Sequence, residues 1–103
     1  MITLVTDDDS AETRLGQLLQ REHLLAAIAD GLDRWPEVLQ LIADAPDTDQ
    51  ARAGLRSALA LDQPQAQAVL DIQFRRVTHR DRLRITEELA EMRAQIARMR
   101  QGV

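Results

Sequence analysis

The sequence predicts an all-α fold: two long antiparallel coiled-coil helices, closed at one end by a small head of three short helices. Three observations carry this expectation. Hydrophobic residues make up 45% of the chain but aromatic residues only 2%, and there are just four glycines. The apolar content is therefore aliphatic, which suits long helices better than sheets. Apolar residues also recur at spacings of 3 and 4 near both ends, as Leu15, Leu18, Leu25, Ala29 and Leu32, and as Ile85, Leu89, Met92, Ile96 and Met99. That is the seam of one helix laid against another. Between the seams, capping signals divide the chain into short pieces: Asp47 with Gln50, Asp62 with Pro64, and Thr78 with Asp81.

The chain divides into an acidic tail, expected to be flexible, over 1–9 and one helical domain over 10–103, with arms at about 10–32 and 79–101 and a head at about 33–78. Ile2 to Thr6 is β-prone but has no second strand to pair with, and reads as part of the tail. Asp7, Asp8, Asp9 and Ser10 precede the first helical pattern, where carboxylates and a hydroxyl favour a helix start. Three consecutive acids do not converge on one ion without further ligands, so they read as a solvated cap. The first helix would be about 33 Å long at ~1.5 Å per residue, and its stripe, widened by Leu19 and Ile28, needs another long helix to cover it.

Gly31 and the run Asp33 to Pro36 end that helix, with a turn at 33–35. Pro36 favours extended geometry at Trp35 and then fits the first turn of a helix running through Glu37, Val38, Leu39 and Leu41 to Ala43. Ala45, Pro46 and Asp47 close it, and a third helix is expected from Thr48 to Leu59. A fourth, capped by Asp62, is expected to continue to Thr78 with Ala66, Val69, Leu70, Phe74 and Val77 on its buried side. Ile72 falls outside that stripe. The last helix starts near residue 79 and carries the second seam.

Composition excludes several functions. All 13 basic residues are arginine and the net charge is −4, so no broad basic face for nucleic acid is evident, and lysine chemistry is absent. There is no cysteine, hence no disulfide framework and no thiolate ligand or nucleophile. The acidic start is not a secretory signal, and no stretch approaches the ~18 apolar residues of a membrane span. A cytoplasmic location is expected. His23 lacks a partner at i+4 for a metal and reads as a buried or half-buried helix histidine bonded to a neighbour. His79 reads as an exposed residue at a helix start.

The run Gln65 to Thr78, QAQAVLDIQFRRVT, resembles the QAQAILDMRLRRLT segment of bacterial type IIA topoisomerase A subunits, those of DNA gyrase and topoisomerase IV. The resemblance extends to Arg21–Leu25, Leu32–Asp33 and Glu37–Leu39, which are similar to the family's RAHILEGLxxALDNIDEVI, and it covers roughly residues 14–101. This sequence departs from the family at Ala26–Ala27 (Glu-Gly there), at Trp35–Pro36 (Ile-Asp) and at His79–Arg80 (Gly-Leu), which bears on local turns more than on the fold. The resembled region is the coiled-coil arm and helical head that form the exit gate and lower dimer interface.

The family's reaction needs a tyrosine that attacks a DNA phosphate, and this chain has none. The resemblance therefore implies a non-catalytic dimerisation module without cofactor or metal, and the acidic tail at its start favours a freestanding protein. It would act as a homodimer, or pair with the A subunit of a gyrase or topoisomerase IV and modulate it. The alternatives are a general helical adaptor and an excised piece of a full-length topoisomerase subunit. Leu61, Ile72, Phe74 and Trp35 are the dimer-interface candidates, because three brief helices cannot enclose all the apolar groups of the head. Arg75, Arg76 and Arg80 are the candidates for facing DNA, with weak or no direct DNA binding expected against the acidic whole.

Overall fold

A computed structural model describes residues 7–102. Among the described residues there are five α-helices and no strand. Helix α1 spans Asp7–Asp33, α2 Trp35–Asp44, α3 Thr48–Leu59, α4 Gln63–Leu70 and α5 His79–Gln101, with a single 3₁₀ turn at Phe74–Val77. Helix α1 takes in Asp7 to Asp9, which on sequence alone belong to the tail. The β-prone stretch Ile2 to Thr6 lies outside the described residues.

The arms are α1 and α5, lying side by side and antiparallel. Arg93 of α5 donates to Glu22 of α1 at 3.0 Å. Leu18 shares a groove with Gln95 and Met99, while Leu25 and Ile28 share a cleft with Glu88, so the numbers fall on one helix as they rise on the other. Ile85, Leu89 and Ile96 are buried, as the seam predicts, and Met92 and Met99 are half-buried. On α1, Leu15, Leu18, Leu19 and Leu25 are only half-buried, because a single neighbouring helix covers one side of so wide a stripe.

The head is folded by short-range hydrogen bonds and closed by a small core. The turn between α1 and α2 is one residue, Arg34, so Trp35 is the first residue of α2 rather than part of an extended turn. Asp47 caps α3 by accepting from the Gln50 N–H at 2.8 Å. Asp62 and Gln65 form a full capping box on α4, each side chain bonding the other's backbone N–H. Thr78 caps α5 through the Asp81 N–H. Ala27, Val38, Leu55, Leu59, Ala66 and Val69 form the core, with Trp35, Leu41, Ile42, Leu61, Leu70 and Ile72 packed around it.

Two backbone features shape the head, and the second departs from expectation. Helix α3 ends on Ala60 in the left-handed region, φ 55° and ψ 50°, where the Leu61 N–H reaches back to Arg56 O at 3.0 Å. A residue with a Cβ gives up roughly 1–2 kcal/mol there, and the turn lets Leu61 pack on the core. The fourth helix stops at Leu70 instead of running to Thr78. Past that break the two sides are exchanged: Ile72 turns inward onto the core, and Phe74, expected on the buried stripe, is 74% exposed.

The molecule measures 59 × 30 × 21 Å with a radius of gyration of 17.0 Å, against about 13 Å for a compact domain of this length. Among the described residues no helix is long and apolar enough to cross a membrane.

Candidate functional site

The one-residue turn at Arg34 positions the first surface. Arg34 is bonded to Glu37, which raises its pKa further above its ordinary value, and its guanidinium also reaches Ala58 O at 3.4 Å. This fixes the start of α2 on the end of α3 and sets Trp35 half-buried against the core. The Phe74 ring meets Trp35 edge to face, centroids 6.1 Å apart and planes at 88°. Such a pair contributes about 0.5–1.5 kcal/mol beyond its area. Leu39, one turn beyond Trp35 on α2, is 43% exposed. Trp35, Leu39 and Phe74 thus make an apolar patch on the outside of the head.

The other two interface candidates sit differently. Leu61 and Ile72 both pack on the core of their own chain. A Cβ placed on Gly31 would lie 3.8 Å from Ile72 Cδ1 and 3.2 Å from Val69 Cγ1, so α1 approaches α4 closely at that glycine.

The arginines divide between two faces. Arg75 and Arg76 line a cleft of about 350 Å³ with Leu25, Ile28, Ile72, Asp71 and Glu88, at the junction of arm and head. Arg75 donates to Gln73 at 2.7 Å. Arg80 lines a separate, shallower hollow on α5 with His79, Leu83, Arg84 and Glu87. Asp71 and Glu88 offset the charge of Arg75 and Arg76, which is not the geometry of a uniform phosphate track.

On sequence alone His23 is expected to be buried or half-buried and bonded to a neighbour, with the partner unspecified. The structure leaves it exposed and gives it Asp62, 39 residues away, with His23 Nε2 2.5 Å from Asp62 Oδ2. The same carboxylate caps α4 through its other oxygen, and the nearly buried Gln65 donates to His23 O at 2.9 Å. The hydrogen bond from His23, then that from the Gln65 backbone, holds the Asp62 carboxyl below the usual aspartate range. This network ties the start of α4 to the middle of α1. Among the described residues no group of three or more His, Cys, Asp or Glu is placed to hold a metal ion.

No family model matches the chain. Curated proteins do. The DNA gyrase A subunit of a Nocardioides species is 41% identical over 86 residues, which is 84% of this chain and 9% of that protein. The DNA gyrase A subunit of Mycobacterium tuberculosis is 43% identical over 84 residues, 82% of this chain and 10% of that one. The chain is a gyrase A-like region. The chloroplastic/mitochondrial DNA gyrase A subunit of Arabidopsis thaliana is 36% identical over 91 residues, 88% of this chain. The gyrase A-like chain spans about a tenth of the length of these relatives.

Proposed function

We propose that the chain is a non-catalytic dimerisation module resembling the exit gate of a type IIA topoisomerase, with two copies meeting through the outer face of the head. The observation that carries this reading is Phe74: a phenylalanine 74% exposed and set edge-on against Trp35, with the exposed Leu39 one helical turn beyond Trp35 on α2. Covering an exposed side chain of that size contributes about 1.5–3 kcal/mol, and a two-fold contact lets the same patch cover itself. The extended shape and the half-buried α1 leucines also leave apolar surface for which a single copy has no use. The likeness to gyrase A supports a second form of the same reading, in which the patch pairs with the corresponding region of the A chain of a gyrase or topoisomerase IV and alters its gate.

Sedimentation velocity at tens of micromolar tests this. The wild type should sediment as a dimer, since a Kd of about 1 μM leaves mostly dimer there. Phe74→Glu should give a monomer with unchanged helical circular dichroism. Phe74 suits this better than Ile72, because Ile72 also packs on the core of its own chain and its loss disturbs the fold. A wild-type monomer at that concentration overturns the proposal, as would magnesium-dependent DNA cleavage by the pure protein.

A further inference from the structure

The first two turns of α5 carry a surface that the dimerisation reading leaves unused. Its residues follow from helix geometry: Ile85 and Leu89 face α1, so Arg80, Leu83, Arg84 and Glu87 fall on the opposite side. With His79 they line a shallow hollow of about 470 Å³. Two features mark it. Leu83 is 50% exposed, one of three large hydrophobics exposed among the described residues. Arg80 and Arg84, one helical turn apart, flank it. Two carboxylates lie near them: Glu87, which lines the same hollow, and Asp81, 3.8 Å from Arg84, whose backbone N–H and side chain are already bonded to Thr78.

We propose that this hollow docks an acidic amphipathic helix of a protein partner. Two carboxylates one turn apart would meet the Arg80 and Arg84 guanidinium groups, and an apolar side chain between them would cover Leu83. Arginine suits this because its planar fork pairs with a carboxylate through two parallel hydrogen bonds. The exposed leucine decides between partner classes. A nucleic-acid backbone offers nothing to cover Leu83, and its phosphates would meet Glu87 at the rim. An acidic helix satisfies the arginines and the leucine together, and can place a cation against Glu87.

The test uses the full chain and a labelled amphipathic helix of about 14 residues, carrying glutamates one turn apart around a leucine. A glutamine version of the peptide and a labelled DNA duplex serve as comparisons, all read by fluorescence anisotropy at two salt concentrations. The acidic helix should bind, and bind more weakly in high salt. The double variant Arg80→Gln, Arg84→Gln should weaken it at least about tenfold, and Leu83→Ser about fivefold. These side chains are surface groups, so circular dichroism should not change. Phe74→Glu should leave peptide binding intact, which separates this proposal from the dimer reading. Binding of the duplex as tight as that of the peptide overturns it in favour of a polyanion surface. No peptide binding, or binding indifferent to the Leu83 and arginine variants, overturns it outright.

Discussion

The head and the arm are built from the same aliphatic and charged residues but are held together in different ways. In the head, Val38, Leu55, Ala66 and Val69 are almost completely buried, and helices α3 and α4 start on side-chain caps. In the arm, burial is one-sided: α5 hides Ile85, Leu89 and Ile96, while the leucines facing them on α1 stay half-exposed beside the Glu22–Arg93 bond. A surface ion pair of that kind contributes under about 1 kcal/mol. The difference teaches that the head is a small folded unit and the arm is a lever fixed to it, with α1 shared by both.

The largest effect should come from cutting the head core. Leu55→Ala should cost about 3 kcal/mol in urea denaturation, within the usual 2–5 for a buried leucine. The same truncation at Leu18, half-buried in the arm, should cost no more than about half as much. Equal costs would erase the distinction between core and lever.

Two glycines of α1 sharpen it further. Gly16 has open space where a Cβ would go, so Gly16→Ala should stabilise the helix by about 0.5–1 kcal/mol. At Gly31 the new methyl would sit 3.2 Å from Val69 Cγ1, on a β-branched side chain with little freedom to move. Gly31→Ala should therefore destabilise by about 1 kcal/mol despite its better helix propensity. Thermal melts that move in the same direction for both would show that α1 is not gripped at the head.

The smallest effect is the pH dependence of the bond between arm and head, since the His23 and Asp62 side chains are about half exposed, 51% and 47%. The Asp62 pKa is lowered in the folded state. Its contribution is therefore fully present above the unfolded aspartate value, ~3.9, and is lost as pH falls through the lower folded value. Asp62→Asn keeps an N-cap but removes the charge. The gap in stability between wild type and Asp62→Asn should narrow as pH is taken below about 4. A gap that stays constant or widens would mean that the His23 bond carries none of it.

The sequence by itself determined the helical class, the limits of α3 and α5, the caps at Asp47, Asp62 and Thr78, the buried seam of α5 and the likeness to gyrase A. All of these depend on residues within a few positions of one another, because a cap is a bond over three residues and a seam is a repeat of 3 and 4. Three features were decided only by the tertiary structure. His23 and Asp62 meet across 39 residues, and nothing local signals such a pair. Ala60 takes a left-handed turn without glycine, held by where Leu61 packs. The periodicity from Ala66 to Val77 reads as one helix, yet the chain breaks after Leu70 and turns Ile72 inward and Phe74 out. Local propensity favours continuing the helix there, and the close approach of α1 at Gly31, with room beside it for Ile72, outweighs that preference because packing over long range can exceed the few tenths of a kcal/mol per residue that propensity supplies.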